Sequence, residues 1–178
     1  MRKKCLLFLL CMLTTVVVFA GKESQYILYE GFEDGTVPAN WTQEYGSGMQ
    51  VSWAVEQSGA SLYPENAFKG NGLVALRNTT GQTQHFKTKL VTPVINLTDV
   101  FQPILVFSHA QMQYAGDVDA LVVYYRTSES AKWVQVGMYE NKTLGWKTDT
   151  IVLTAPTATY QLAFEGVDKM GRGIALDE

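Results

Sequence analysis

The chain has 178 residues, with 14 basic and 17 acidic ones, which gives a formal net charge of −3 at pH 7. This length fits one domain, and the acidic balance argues against nucleic acid as a partner. The chain contains no run of basic residues that would indicate binding to a membrane surface.

The first twenty residues have the pattern of a secretory signal peptide. Residues 2–4 are basic, residues 6–19 form a mostly apolar run, and Val18-Phe19-Ala20 supplies small residues near the end. The apolar run is too short, and its flanks are wrong, for a transmembrane helix. We therefore expect a secreted or cell-surface protein without a transmembrane segment, cleaved near Ala20.

Cleavage there leaves residues 21–178 as a single domain. Both cysteines lie in the signal, and 11 basic residues then face 17 acidic ones, a net charge of −6. A secreted domain without disulfides depends for its stability on its apolar core or on a metal ion.

The remaining chain has a side-chain period of two almost throughout, which is typical of strands. Along residues 160–164, for example, Tyr160, Leu162 and Phe164 are expected to face the core, with Gln161 facing out. Residues 42–69 are expected to hold a strand within long loops. About ten antiparallel strands are predicted in an all-β sandwich or barrel, at residues 26–32, 51–55, 73–76, 85–91, 104–112, 121–126, 133–139, 146–153, 160–164 and 174–176.

The order of short motifs resembles one known family. The first of these motifs is Gly31-Phe32-Glu33-Asp34-Gly35, followed by Pro38 and Trp41, and the last is Gly173-Ile174-Ala175-Leu176-Asp177. Between them come residues 90–97, 107–111, 116–119, 121–128 with Trp133, Trp146, and 160–166. This order resembles the cleaved-adhesin domains of Bacteroidetes-type surface proteins, which are similar to MAM-type jelly rolls.

The resemblance implies a β-sandwich jelly roll with a role in adhesion or recognition, and with structural calcium. In that family the last strand usually continues beyond the Asp that matches Asp177. We therefore expect the final strand to be incomplete at Glu178.

Three carboxylates are the predicted calcium ligands. In a jelly roll the first and last strands often lie side by side, so Glu33 and Asp177 are expected to meet, with Asp34 nearby. Calcium takes six to eight oxygen ligands, including carboxylates and backbone carbonyls. The alternative is that Glu33 caps a turn and Asp177 is a solvated strand end.

A second acidic pair, Asp117 and Asp119, is a weaker metal candidate. Alternate residues of a strand point the same way, so the two carboxylates are placed to share a cation. The competing interpretation is a turn with acidic side chains.

No sequence feature predicts an enzyme. The chain beyond the signal has no cysteine nucleophile and no Gly-x-Ser-x-Gly elbow. Without cysteine, His85 and His109 alone are too few to form a zinc site of His and Cys ligands. A hydrogen-bonded structural histidine is the expected role of His109.

The predicted ligand-binding residues are aromatic. Trp53, Tyr63, Tyr114 and Tyr139 fall in loops or near strand ends, where aromatic faces are suited to stacking on sugar rings. The alternative is that they pack in the core or at its edge. We expect a non-catalytic adhesion or recognition module that binds a glycan or an extracellular protein. The alternatives are a structural spacer in a surface assembly and an accessory domain of a hydrolase.

Overall fold

The computed structural model describes residues 26–59, 63–77 and 85–178. The predicted signal peptide, residues 1–20, lies outside the described residues. Within these three ranges, no helix is long and apolar enough to span a membrane.

The described part of the chain contains ten strands. They are β1 (Thr42–Tyr45), β2 (Ala54–Gln57), β3 (Gly72–Leu76), β4 (Lys87–Val91), β5 (Ile104–Gln111), β6 (Ala120–Arg126), β7 (Val134–Tyr139), β8 (Lys147–Val152), β9 (Gln161–Val167) and β10 (Ile174–Asp177).

The strands form two five-stranded sheets. Sheet A has the order β1-β4-β9-β6-β7, and sheet B has the order β2-β3-β10-β5-β8. All pairings are antiparallel, so the predicted all-β sandwich is confirmed.

One predicted strand does not form, and one strand that was not predicted does. Residues 26–32 do not form a strand, and the first strand is β1, inside the region predicted to be mostly loop. Phe32 has a φ of 56°, a left-handed conformation that ends an extended run. The Phe32 side chain still enters the core, so the apolar pattern reflects burial without strand pairing.

The strand β9 shows how sequence alternation builds both faces of sheet A. Leu162 and Phe164 enter the two main core clusters, as predicted. Gly166 continues this inward set, and a Cβ there would lie 2.2 Å from Leu76 Cδ2. Glycine therefore lets sheets A and B approach closely at this point.

An apolar groove lies beside the first half of β5. Residues Ile104–His109 pair with β8, whereas β10 pairs only with Ser108–Gln111. The groove has a volume of about 430 Å³ and is lined in part by Leu28, Leu105, Leu162 and Leu176. Residues 26–30 form part of its wall, and Leu28 packs there against a core cluster that includes Leu162.

Candidate functional site

The outer face of sheet A brings together charged side chains from strands that are distant in sequence. Register pairs Glu44 of β1 with Lys89 of β4, and Lys89 with Glu165 of β9. Glu165 is also opposite Val122 of β6. Directly opposed residues project to one face, so these four form a row across the sheet. The row lies on the face opposite Phe164, which points into the core.

Lys89 and Glu165 form an ion pair in the middle of this row. Their Nζ and Oε1 atoms are 2.5 Å apart, and the side chains are only 18% and 9% exposed. The Tyr124 hydroxyl donates to Glu165 Oε2 over 2.9 Å. Burial, followed by the hydrogen bond to Glu165, raises the pKa of Tyr124 to about 12. Tyr124 therefore acts as a donor at neutral pH, and the carboxylate has two partners.

A second group, called here the Glu44 cluster, consists of Glu44, Arg126 and Trp133. Arg126 Nη1 lies 3.3 Å from Glu44 Oε1, and the Trp133 indole N–H donates to Glu44 Oε2 over 2.9 Å. The Arg126 guanidinium also lies over the Trp133 ring, 4.3 Å from its centroid. Each carboxylate oxygen thus has its own donor.

The Glu44 cluster spans sheet A. Strands β4 and β9 lie between β1 and β6, so in a flat sheet β1 and β6 would be about 14 Å apart. The Arg126–Glu44 ion pair extends over both intervening strands. This cover explains why Gln161 and Glu165 are only 8% and 7% exposed, although they point outward.

The outer face therefore offers hydrogen-bond donors and acceptors beside aromatic rings. Sites that orient a ligand commonly combine a few placed polar groups with apolar or aromatic surface. Sequence reasoning did not find this site, because Glu44, Lys89 and Glu165 are separated by 45 and 76 positions. Only their shared register in sheet A brings them together.

Trp53, predicted to contact ligand, has a different role. It is 2% exposed, and its indole N–H donates to the Thr88 carbonyl over 2.9 Å. The expectation that its ring is open to a ligand is therefore wrong, and the alternative of core packing applies. The apolar residues around it in the sequence fit core packing equally well.

The three predicted tyrosines have separate contacts. Tyr139 packs edge-on against Phe107 with centroids 5.4 Å apart. Tyr63 packs against the small apolar cluster that includes Trp146, and its hydroxyl accepts a hydrogen bond from the Gly145 N–H.

Tyr114 is the most exposed of the three. It is 51% exposed, and the Arg172 guanidinium lies 4.0 Å from its ring centroid. No contact in the described residues joins Tyr63, Tyr114 and Tyr139 into one surface.

Glu33 and Asp177 both accept hydrogen bonds from one short loop, residues 69–72. The Asn71 and Gly72 amides donate to the Glu33 carboxylate at 3.0 and 3.1 Å. The Lys69 amide donates to Asp177 Oδ2 over 3.0 Å. The loop therefore holds both predicted calcium ligands, while Asp34 is exposed in the preceding turn.

The oxygen atoms at this end of the sandwich suit a hard cation in part. Asp177 is 2% exposed, and burial raises its pKa, an effect that the Lys69 amide opposes. A Cβ on Gly70 would lie 2.1 Å from Glu33 Oε1, so the glycine leaves room for this carboxylate. In the described ranges, however, no three His, Cys, Asp or Glu side chains are grouped so that they could hold a metal. Calcium would therefore need backbone carbonyls or water as further ligands.

Asp117 and Asp119 have different environments. Both precede β6, which begins at Ala120. Asp117 is exposed in a tight turn with Tyr114, whereas Asp119 is 1% exposed.

Asp119 organises the turn before β10. Its Oδ1 accepts the amides of Lys169 and Gly171 at 2.8 and 2.9 Å, and its Oδ2 accepts the Gly173 amide at 2.6 Å. Burial raises the pKa of Asp119, and these three amides oppose that rise. The geometry is that of an acceptor for backbone donors.

His109 is held in a buried hydrogen-bond network. Its Nε2 lies 2.9 Å from Asp149 Oδ2, and its Nδ1 lies 3.2 Å from Gln111 Oε1. Both ring nitrogens are therefore engaged, which leaves neither to activate a nucleophile. His85, at the surface, pairs with Asp168 at 3.0 Å.

Comparison with known families gives one match. The sequence profile of the MAM domain, meprin/A5/mu, matches residues 31–178. This chain belongs to the MAM domain family. The resemblance drawn from the order of motifs is thereby confirmed. Comparison with curated proteins gives no significant match.

Solved structures show the same fold as this MAM domain. The K1 cleaved adhesin domain of Lys-gingipain from Porphyromonas gingivalis W83 has a TM-score of 0.60 and 20% identity, over 85% of this chain and 94% of that one. TmCBM61 in complex with β-1,4-galactotriose gives 0.56 and 15%, over 86% and 95%. The CBM22-1 xylan-binding domain of Paenibacillus barcinonensis Xyn10C gives 0.51 and 19%, over 89% and 94%. These likenesses confirm the predicted β-sandwich jelly roll.

The environments of Asp119 and Asp117 predict unequal effects of mutation in the MAM domain. Asp119→Ala should lower the free energy of unfolding by more than about 2 kcal/mol, because buried amides lose their acceptor. Asp117→Ala should change it by less than about 0.5 kcal/mol, as for most exposed positions. Urea unfolding of both variants measures this difference, and equal losses would contradict the structural role of Asp119.

Proposed function

We propose that this chain is a secreted or cell-surface, non-catalytic recognition module that binds a glycan on the outer face of sheet A. The observation on which this rests is the Glu44 cluster beside the Lys89–Glu165 ion pair. Sugars present hydroxyl groups and apolar ring faces, and this face offers paired donors and acceptors with aromatic rings. Its two cations and two carboxylates balance, which suits a ligand rich in hydroxyl groups.

The similar structures support a binding role without assigning a ligand. One was solved with β-1,4-galactotriose, another is described as xylan-binding, and a third is a cleaved adhesin domain. The basic and apolar start of the sequence supports secretion. A protein partner on the same face is the competing outcome.

The hydrogen bonds accepted by the two carboxylates of this face support recognition over catalysis. The Glu165 carboxylate accepts from Lys89 and Tyr124, and the Glu44 carboxylate accepts from Arg126 and Trp133. A general acid of a glycosidase instead needs a raised pKa and access to the scissile bond. The paired carboxylates of this face favour holding a ligand.

The proposal predicts that Trp133 anchors the ligand. In a glycan-array screen followed by calorimetry, Trp133→Ala should weaken binding by about 2 kcal/mol or more, roughly thirtyfold. Trp133→Phe, which keeps a ring but removes the indole N–H, should give an intermediate loss.

The matched control is Phe101→Ala, because Phe101 is 84% exposed and does not belong to this face. It should bind as tightly as the parent protein. Binding that survives Trp133→Ala but is lost in Phe101→Ala would refute this location. Binding only to host matrix proteins in a parallel screen would refute the glycan assignment.

We also propose that calcium binds between Glu33 and Asp177 and stabilises the fold. The loop 69–72 holds both carboxylates, and the buried charge of Asp177 is costly because burial disfavours its ionised form. A divalent cation would offset this cost. The second acidic pair receives no comparable support, because Asp117 is exposed in a separate turn while Asp119 is buried.

Calcium at a hundredfold excess over its Kd should stabilise the fold by about 2.7 kcal/mol. For a domain of this size the melting temperature should rise by about 5–10 °C relative to chelator-treated protein. Glu33→Gln, which keeps the size of the side chain, should abolish the rise. Glu129→Gln, at an exposed turn, should retain it. Identical melting curves in calcium and chelator would exclude a site of this strength.

A further inference from the structure

The Glu44 carboxylate contacts Arg126, a side chain that other residues also hold in place. Arg126 Nε donates to Gln161 Oε1 over 2.9 Å, and Gln161 Nε2 donates to the Thr92 carbonyl over 3.0 Å. The Arg126 guanidinium also rests on the Trp133 ring. The Arg126 side chain is only 11% exposed. These contacts orient Arg126 whether or not Glu44 is present.

Glu44 itself is held far less firmly. It lies on β1, a four-residue strand at the edge of sheet A that pairs only with β4. Its side chain is 41% exposed, so the carboxylate can return to water by rotation about its side-chain bonds. An ion pair with one member this exposed contributes little net stability.

Breaking the ion pair therefore has a different energetic cost for Glu44 than for Arg126. A released Glu44 carboxylate is solvated at once. The mostly covered guanidinium of Arg126, by contrast, needs another acceptor, because an unpaired charge is costly away from water. Exchange of Glu44 for a second carboxylate in the same place satisfies both requirements.

We propose that Arg126 and Trp133 form a receptor for the carboxylate of an acidic sugar residue, and that Glu44 occupies this receptor when no ligand is bound. The inference rests on the proposed glycan-binding function and names the chemical class of the ligand, a glycan containing a uronic acid. A guanidinium recognises carboxylate geometry and charge, and the Trp133 N–H supplies the donor for the second oxygen. The hydroxyl groups of the same sugar then face Tyr124 and the Lys89–Glu165 pair.

Removal of Glu44 tests the receptor directly. Sodium glucuronate should bind Glu44→Ala at least tenfold more tightly than the parent protein, since the internal competitor is gone. It should also raise the melting temperature of this variant, while glucose at equal concentration has no effect. Glu44→Gln, which keeps the side chain's size, provides the same test if Glu44→Ala folds poorly.

Two controls separate the receptor from a general effect of charge. Glu140→Ala removes a surface carboxylate that pairs with Lys169 and should not increase glucuronate binding. In the Glu44→Ala background, Trp133→Phe should weaken glucuronate binding several-fold, because one of the two carboxylate donors is lost.

Failure of glucuronate to bind Glu44→Ala more tightly than the parent protein would overturn the inference. So would tighter binding of a Glu-terminated peptide than of an oligogalacturonate, because the receptor would then serve an acidic protein. If glucuronate fails in this way while neutral glycans bind the parent protein and no longer bind Trp133→Ala, the proposed function stands and this inference fails. Loss of all glycan binding to the parent protein would remove both.

Discussion

The alternation of side chains along β9 is the constraint on which the core and the outer face of sheet A both depend. Leu162 and Phe164 enter the core, while Gln161 and Glu165 point to the opposite face. Because β9 is the middle strand of sheet A, a slip of one residue would exchange these two sets. The same register that buries the core thus places the acceptors for Lys89 and Arg126.

Carboxylates in this MAM domain fall into two groups by the donors they meet. Asp119, Asp177 and Glu33 accept backbone amides, which fixes the turns and loops around them. Glu165 and Glu44 instead accept from side chains of other strands. The first group ties distant parts of the chain together, and the second forms a polar surface across sheet A.

The strands were largely predictable because each depends on local alternation. Nine of the ten predicted segments overlap an observed strand, and the exception is residues 26–32. There the apolar pattern was real, since Phe32 is buried, but the left-handed conformation at Phe32 ends the extended run. Alternation reports burial, and pairing needs a partner strand that the local sequence does not reveal.

The candidate site was less predictable because it depends on register between distant strands. Sequence reasoning selected Trp53 as a ligand contact and did not select Trp133, yet Trp53 is buried and Trp133 meets Glu44. The position of Glu44 opposite Lys89 follows from the pairing of β1 with β4. No pattern within one strand indicates that the Arg126 side chain extends over two neighbouring strands to reach it.

The most direct test of recognition on this face uses the indole N–H groups of Trp53, Trp133 and Trp146 as reporters. In nitrogen-15 spectra, titration with an oligosaccharide that binds the protein in the array screen should shift the Trp133 indole signal. The signals of Trp53 and Trp146 should stay in place, since their N–H groups donate to the Thr88 and Asn66 carbonyls away from this face. A saturable shift of Trp146 with an unmoved Trp133 would contradict the account.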